Sequence, residues 1–319
     1  MAPEEKSTAQ TSQRAELLEG TRISDDIKRE VATEIEELWR KPEQRPCLAA
    51  VRVGDDPASE VYVKNKIRAC EEVGIRSEHH SLPCSTTASQ LRELIGLLNS
   101  RDEIDGILVQ MPLPEGIDEA AIIETLDPEK DVDGFHPVNV GRLALGRPTF
   151  VPCTPAGIIE LLTRNEISIR GAKTCVVGRS QIVGRPMAQL LTQHDATVTV
   201  CHSRTQDLKS VTRQADLLVV AIGRPGLIRR DYIKSGATVI DVGMNKISEE
   251  SIARDLFGDD AARRMETIKR RGYTLVGDVH PAEADTVAGR RTPVPGGVGL
   301  LTVAMLMRNT VKAARLRRG

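Results

Sequence analysis

The stretch VVGRSQIVGRPMAQLL (176–191) runs from an apolar strand through a tight turn into a helix. The strand is predicted to end at Gly178, and the helix to begin near Gly184 or Arg185. Glycines at such a turn let the backbone approach a ligand, and the free N–H groups of a helix N-terminus attract phosphate. The spacing is neither GxGxxG nor that of a P-loop. By itself it is equally compatible with an ordinary strand-to-helix turn.

Other short runs rich in Val and Ile surround this turn, and each of them ends in a turn of its own. Such runs are typical of central parallel strands in a doubly wound sheet. They are AKTCVVG (172–178), ATVTVCH (196–202), ADLLVVAIG (215–223) and GATVIDVG (236–243). The second half of the chain is therefore predicted to be a Rossmann-type nucleotide domain.

The first half also alternates helical and strand patterns, which predicts parallel βαβ units. The expected helices cover 27–38, 56–73 and 91–98, and the expected strands are CLAAVRVG (47–54) and IDGILVQ (104–110). A Pro- and Gly-rich boundary follows at FVPCTPAG (150–157), a charged helical segment at 248–272, and a closing helix from Leu300 to about Leu316. The fold class is therefore α/β with two domains.

Composition excludes several classes of function. The chain has 319 residues, with 44 basic and 45 acidic side chains and a net charge of -1, so no charge excess favours nucleic acid or an anionic membrane. Its six cysteines form no CxxC pair and no zinc-spaced cluster with histidine, which predicts reduced thiols and no metal. The polar N-terminus and short apolar runs predict a soluble, cytoplasmic protein without a signal peptide.

The strand that follows the nucleotide turn indicates which cofactor is bound. An acidic residue near the end of this strand would hold the ribose 2′-OH of NAD. Here the strand ends in Cys201, His202, Ser203 and Arg204, with no acid. Arg179 lies across the same corner, and an arginine with a serine suits a 2′-phosphate. The pattern favours NADP, although a lone loop arginine is commonly just solvated.

The segment VYVKNKIRACEEVGI (61–75) carries a tyrosine one helical turn before a lysine. Val63, Ile67 and Cys70 recur at helical spacing and should face the core. Tyr62 and Lys66 share the border of that stripe. A partly desolvated ammonium there would release its proton more readily, which suits proton transfer. Spacing alone favours the plainer alternative, an interfacial tyrosine beside a lysine that reaches into solvent.

Three further stretches carry weaker signals. Gln110 ends the strand GILVQ, at the edge where α/β proteins bind ligands. Asp131 and Asp133 lie in KDVDGF (130–135), which lacks the further carboxylates of a calcium loop and is compatible with a plain Asp-Gly turn. TPVPGGVG (292–299) offers only backbone, either against a planar ligand or as a linker.

Taken together, these stretches resemble the bifunctional methylenetetrahydrofolate dehydrogenase/cyclohydrolase family, from about Leu17 to Leu316. Each match is weak singly, and their joint order and spacing are specific. The matching segments are VGDDPASEVYVKNK, GILVQMPLP, PEKDVDGFHPVNVGRL, PCTPAGIIELL, VVGRSQIVGRPMAQLL, IDVGMN, GDV and TPVPGGVG.

The resemblance implies a fold and an activity. It implies a folate-binding catalytic domain (14–153 plus 294–319, with the C-terminal helix returning to it) and an NADP-binding Rossmann domain (154–293). The polar residues 1–13 that precede these domains are predicted to be a disordered tail. It also implies a homodimer. The expected enzyme oxidises 5,10-methylenetetrahydrofolate with NADP⁺ and hydrolyses the methenyl product to 10-formyltetrahydrofolate, in one-carbon metabolism and purine biosynthesis.

The resemblance also implies roles for individual residues. Lys66 matches the proton-transfer group of the hydrolysis, and Gln110 the residue that hydrogen-bonds and tunes it. Tyr62 matches the tyrosine that packs on the folate rings, and Asp133 the aspartate that holds the pterin. The expected NADP contacts are Gly178, Arg179, Ser180, Ser203 and Met244. The expected wall of the folate pocket is Pro295, Gly296 and Gly297, within Pro295–Gly299.

Two departures from the family pattern stand out. Leu300 replaces the proline usual after PGGVG, which frees φ and restores an N–H at the helix start. The charged segment 248–272 is longer than the usual connection. Two rival interpretations remain. The first is a shikimate-dehydrogenase-like NADP oxidoreductase, but the segments DVDGFHP and PGGVG fit that class poorly. The second is a non-catalytic NADP- or folate-binding protein, but such a protein has no need of the Lys66–Gln110 pair.

Overall fold

The computed structural model describes residues 14–318, and of residues 57–59, 61 and 62 only the backbone. The tail predicted at 1–13 lies outside the described residues. The strands are β1 (Glu16–Leu17), β2 (Cys47–Val53), β3 (Arg76–Leu82), β4 (Gly106–Val109), β5 (Lys173–Val177), β6 (Thr197–Cys201), β7 (Leu217–Val220), β8 (Thr238–Asp241), β9 (Asn245–Ile247), β10 (Thr274–Val276) and β11 (Arg290–Arg291).

The helices alternate with these strands through both halves of the chain. They are α1 (Gly20–Leu38), α2 (Pro57–Val73), α3 (Ala88–Ser100), α4 (Glu119–Ile123), α5 (Pro137–Ala144), α6 (Cys153–Arg164), α7 (Gly184–Gln193), α8 (Leu208–Thr212), α9 (Glu250–Phe257), α10 (Ala261–Arg271), α11 (Pro281–Ala284) and α12 (Val298–Arg318). The Pro- and Gly-rich boundary at 150–157 is partly helical, because α6 begins at Cys153 within it.

The nucleotide half is built on a six-stranded sheet with the order β1-β11-β8-β7-β5-β6. Every adjacent pair in it is parallel. β7 and β8 are buried along their whole length, which explains their unbroken apolar sequences. The four strands predicted in this half are therefore confirmed, and their carboxyl ends lie along one edge of the sheet.

The first half is built on a three-stranded parallel sheet with the order β3-β2-β4. Val51 of β2 is in register with Val109, the last residue of β4, so β2 continues to Val53 beyond the end of β4. β3 has the sequence RSEHHSL and was not predicted, because it is an edge strand of mostly polar residues. The predicted strand β2 and helix α2 are confirmed.

The closing helix α12 returns to the first half, where it packs against α1, α2 and α6. Met305, Leu306 and Met307 are buried in the same apolar core as Val31 and Ile35 of α1. This return confirms the predicted fold class. The predicted domain limits stay a prediction. They place β1 in the first domain, whereas β1 pairs with β11 of the six-stranded sheet.

The charged segment 248–272 is helical, as predicted, and consists of α9 and α10. The strands β9 and β10 lie directly before and after this segment in the chain and pair with each other in antiparallel orientation. Ile247, Leu256 and Ile268 form a small separate core within this unit. Between residues 14 and 318, no helix is long and apolar enough to cross a membrane, and no cluster of His, Cys, Asp or Glu is arranged to hold a metal ion.

Candidate active site

Lys66 and Gln110 meet at the carboxyl end of the three-stranded sheet. Lys66 lies on α2, and its Nζ donates a hydrogen bond to Gln110 Oε1 at 3.0 Å. The backbone N–H of Gln110 donates to Val51 O at 2.8 Å, which continues the ladder beyond β4. Gln110 Nε2 donates to Met111 O at 2.6 Å. Because the amide nitrogen is occupied in this way, the amide oxygen is directed at the ammonium of Lys66.

Asp133 lies in a turn that its neighbour Asp131 holds in shape. Asp131 accepts hydrogen bonds from Gly134 N, His136 N and Asn139 Nδ2 at 3.2, 2.8 and 2.8 Å. Gly134 has a φ of 74°, and a Cβ there would lie 2.8 Å from the carbonyl oxygen of residue 150, so the turn needs glycine. The two aspartates of this turn therefore differ: Asp131 is structural, and the carboxylate of Asp133 is left for the site.

The electrostatics of Asp133 link it to Lys66. Burial raises the pKa of Asp133 to about 6, while the charge of Lys66 opposes this rise and the charge of Asp131 adds to it. Cys153, at the start of α6, has its Sγ 3.9 Å from Asp133 Oδ1. Burial raises the pKa of this thiol well above its usual range, so it stays protonated. The result is a compact group of one cation, one amide and one carboxyl of raised pKa.

Tyr62 lies on α2 one helical turn before Lys66, as the spacing predicted. Its side chain is outside the described part of the structure. Val63 and Cys70 of the same helix are fully buried, and Ile67 packs against the same core, so the predicted apolar stripe of α2 is confirmed. The packing of Tyr62 on a ligand stays a prediction.

The nucleotide turn has the shape of a phosphate-binding loop. Gly178 has a φ of 125°, and a Cβ on it would overlap the backbone oxygen of Ala221. The residue that precedes α7, Val183, makes no side-chain hydrogen bond to the first turn of the helix. Ser180 Oγ accepts from Val183 N and Gly184 N at 3.2 and 3.3 Å, which leaves its own O–H free to donate. A dinucleotide phosphate therefore fits this cradle of backbone and hydroxyl groups.

Arg179 and Ser203 each lie two residues after the end of a strand, at the carboxyl ends of the adjacent strands β5 and β6. Gly178 N donates to Cys201 O at 2.9 Å, which places the ends of β5 and β6 side by side. Both Arg179 and Ser203 are exposed. The absence of an acid at the end of β6 therefore coincides with an accessible guanidinium and hydroxyl, which suits a 2′-phosphate.

The remaining predicted site residues lie where the two halves meet. Gly20 N, at the start of α1, donates to Gly296 O at 2.8 Å. Met244 follows β8, and its Cε would lie only 2.9 Å from a Cβ placed on Gly299. The structure therefore brings Met244 next to the Pro295–Gly299 segment.

Sequence reasoning missed two buried carboxyls that shape the nucleotide side. Asp241 accepts from the backbone N–H groups of Gly243, Asp278 and Val279 at 3.0, 2.9 and 2.9 Å, and burial raises its pKa to about 7. Asp278 accepts from the N–H groups of residues 222–224 at 2.7 to 3.0 Å. The signal that was available is their position in IDVG and VGDV, each directly after an apolar run.

Comparison with known protein families agrees with this geometry. The catalytic domain of tetrahydrofolate dehydrogenase/cyclohydrolase matches residues 18–133. The NAD(P)-binding domain of the same enzymes matches residues 152–318. The two matches fall on the two sheets described above.

Individual relatives are similar over nearly their full length. The bifunctional protein FolD of Koribacter versatilis is 56% identical over 305 residues, which cover 96% of this chain and 98% of the relative. The crystal structure of the Campylobacter jejuni enzyme FolD has a TM-score of 0.84 at 44% identity and covers 94% of this chain and 99% of that one. The Trypanosoma brucei enzyme, complexed with NADP and an inhibitor, has a TM-score of 0.85 at 38% identity, with 95% and 98% covered.

Fold and site together define a two-domain enzyme with a Rossmann-type nucleotide domain and a second α/β domain that carries a lysine–amide pair. The chain belongs to the tetrahydrofolate dehydrogenase/cyclohydrolase family. The predicted enzyme activities, NADP-dependent methylenetetrahydrofolate dehydrogenase and methenyltetrahydrofolate cyclohydrolase, are thereby confirmed, and so is NADP as cofactor. The shikimate-dehydrogenase-like and non-catalytic alternatives are not supported.

Proposed function

We propose that both reactions take place in the crevice at the carboxyl ends of β2 and β4, with Lys66 as the proton-transfer group. The observation that carries this proposal is the 3.0 Å hydrogen bond from Lys66 Nζ to Gln110 Oε1, beside the carboxyl of Asp133. In the first reaction, 5,10-methylenetetrahydrofolate loses a hydride from its one-carbon bridge and becomes the methenyl cation. In the second, water adds to that carbon.

The hydrolysis needs a group that moves protons. Water adds to the amidinium carbon, one proton is released, the bond from this carbon to N5 breaks, and the formyl group remains on N10. In its neutral amine form, Lys66 takes one proton from the adding water, and the ammonium so formed gives this proton to the departing N5. The other proton of the water is the one released to solvent, as the C–N5 bond breaks and the formyl C=O forms. Gln110 orients the ammonium and, as a neutral partner, leaves it free to change its charge. Asp133 accepts hydrogen bonds from the pterin, and Tyr62 packs on its rings.

The dehydrogenase reaction depends on position rather than on a covalent nucleophile. NADP⁺, when bound, supplies a nicotinamide ring that accepts the hydride. Gly178, Ser180 and the first turn of α7 hold its diphosphate, while Arg179 and Ser203 hold its 2′-phosphate. Met244 lies at the nicotinamide end, because its methyl group lies against the Pro295–Gly299 segment. That segment, with Pro295, Gly296 and Gly297, forms the facing wall of the folate pocket.

The proposed assembly is a homodimer joined through the nucleotide half. β6 is the outer strand of the six-stranded sheet and exposes Val200, and an open strand edge of this kind favours pairing with a second copy. A molar mass by light scattering of twice 34.9 kDa is expected, and the single-chain mass would contradict the dimer. The proposed location is the cytoplasm, which agrees with six cysteines that are all unpaired.

An assay of the purified protein with 5,10-methylenetetrahydrofolate tests these assignments. Reduced cofactor and the methenyl intermediate are followed together, with NADP⁺ or NAD⁺. We expect faster reduction of NADP⁺ and no lasting build-up of methenyl intermediate. Arg179→Ala should raise KM for NADP⁺ about tenfold, the loss of one charge-assisted bond. Arg170→Ala, an exposed arginine at the opposite end of β5, is the control. Preference for NAD⁺ would overturn the roles given to Arg179 and Ser203.

A further inference from the structure

The segment before the Pro-Gly-Gly sequence is held at both of its ends. Thr292 N donates to Val239 O at 3.0 Å, and Asp241 N donates to Thr292 Oγ1 at 2.8 Å. At the other end, Gly20 N donates to Gly296 O at 2.8 Å. The residues between these anchors include two prolines, which have no N–H to donate. We refer to residues 292–297 as the loop. The position of the middle of this loop therefore depends on the groups that bind its carbonyl oxygens.

Arg264 binds the middle of this loop from α10. Its Nη2 donates to Val294 O at 2.9 Å, and its Nη1 contacts Leu275 O at 3.4 Å. The guanidinium also stacks on the ring of Phe257, 4.4 Å from the ring centroid. α10 belongs to the charged segment 248–272. The charged segment thus reaches the peptide that directly precedes Pro295.

A cavity of about 1040 Å³ lies between this segment and the loop. Pro293, Val294 and Pro295 line it together with Arg264 and Arg291. On this side the loop therefore borders open space rather than packed side chains. Arg264 lines this cavity, and its hydrogen bond to Val294 O connects the loop to α10.

The charge of Arg264 is directed at carbonyl groups rather than at an acid. No carboxylate lies within ion-pair distance of it in the described part of the chain. Burial lowers the pKa of Arg264, the charges of Arg263 and Arg291 lower it further, and the charge of Asp260 opposes them. The hydrogen bonds from a partly buried guanidinium that is not paired with a carboxylate are stronger than those between neutral groups. Its two carbonyl partners therefore restrict the position of the loop.

We propose that Arg264 is a positioning residue for the folate pocket. By holding Val294 O, it sets the position of Pro295, Gly296 and Gly297, and so couples the helical segment 248–272 to substrate binding. The inference rests on the proposed role of this loop as the wall of the folate pocket. Arg264 itself touches neither substrate nor cofactor, and its effect passes through the backbone of Val294.

The expected kinetic signature differs from that of general destabilisation. Arg264→Met keeps the apolar stem against Phe257 and removes all donors. We expect it to raise KM for 5,10-methylenetetrahydrofolate about tenfold, with KM for NADP⁺ changed less than about twofold, because the nucleotide turn is held by other residues. Arg264→Lys keeps the charge and a single donor group, so its KM for the folate substrate should lie between those of the wild type and Arg264→Met.

The matched control is Arg263→Met. Arg263 is exposed and precedes Arg264 on α10, and among the described residues its side chain makes no hydrogen bond or ion pair, while its backbone oxygen accepts from Thr267 Oγ1 at 2.9 Å. It should leave both KM values unchanged. An unchanged folate KM in Arg264→Met would overturn the proposal, and so would equal losses toward both substrates, which indicate a structural role only. If Arg264→Met does not fold, Arg264→Lys decides the question by the same comparison. Wild type and control without any dehydrogenase activity would instead contradict the proposed function.

Discussion

Replacing Lys66 by methionine tests the central assignment of the active site, because methionine keeps the length and apolar stem of lysine and removes the ammonium. The change deletes the hydrogen bond to Gln110 Oε1. The amide of Gln110 keeps its bond to Met111 O, so its orientation is preserved. The free energy of unfolding should fall by only about 1 kcal/mol, the usual net value of one hydrogen bond at a half-buried position.

The effect on hydrolysis should be much larger than the effect on stability. Proton transfer by a positioned side chain typically contributes about 10²- to 10⁴-fold in rate. This range corresponds to about 3 to 5.5 kcal/mol of activation free energy. Cyclohydrolase activity should therefore fall to about 1% or less of the wild-type value. The dehydrogenase reaction needs no proton transfer from Lys66, so its first turnover should persist.

A second consequence follows from the electrostatics of Asp133. The charge of Lys66 holds the pKa of Asp133 down against the effect of burial, with the result near 6. Without this charge, the pKa of Asp133 should rise above that value. The pH dependence of the dehydrogenase reaction in Lys66→Met should therefore shift to higher pH, which a merely structural defect would not produce.

The assay follows reduced NADP and the methenyl intermediate in one reaction. In Lys66→Met we expect the intermediate to accumulate while NADP is still reduced. Lys64→Met is the control, because Lys64 lies on the same helix, is exposed and is paired with Glu60 at 2.6 Å. Full hydrolysis by Lys66→Met would refute the role given to Lys66. Equal loss of both activities, together with a lower melting temperature, would show that the residue is needed for the fold instead.

Two further predictions concern the carboxyl and the nucleotide turn. The pKa of Asp133 is raised to about 6, so its carboxylate is lost as pH falls through that value. KM of the wild type for the folate substrate should therefore rise below pH 6. Asp133→Asn should bind the folate substrate weakly, with little dependence on pH. Gly178→Ala should lower both the free energy of unfolding and the affinity for NADP⁺, because the added Cβ would overlap Ala221 O. Gly171→Ala is the control for backbone strain, since Gly171 has a φ of 73° and open space around it. Thermal melting and NADP⁺ titration of the two variants measure these effects.

Local patterns predicted the parts of the fold whose signal lies within about ten residues. The apolar runs that became β5 to β8 and the apolar stripe of α2 are of this kind. β3 escaped prediction because an edge strand with one solvated face has a polar sequence. The start of α6 escaped because Pro152 and Pro155 suggest a loop, although proline is well tolerated in the first turn of a helix.

The candidate site divides in the same way. Helical spacing placed Tyr62 and Lys66 on one face, and the ends of apolar strands indicated Gln110 and the nucleotide turn. Spacing alone did not distinguish Asp131 from Asp133, because both are acids in one short turn; the family resemblance singled out Asp133. Only the hydrogen bonds to Asp131 show which carboxyl is used to hold the turn.

By itself, the sequence determined the α/β class and the nucleotide turn, and it predicted NADP as the cofactor, since these depend on residue types at short spacing and on an acid missing from one strand end. No local pattern showed that Lys66 binds Gln110, 44 residues away; the family resemblance implied this contact, and the tertiary structure contains it. The tertiary structure alone decided that Arg264 holds Val294. Contacts of this kind depend on how separate helices and sheets pack. Packing is set by the whole core, and no local pattern of residues records its outcome.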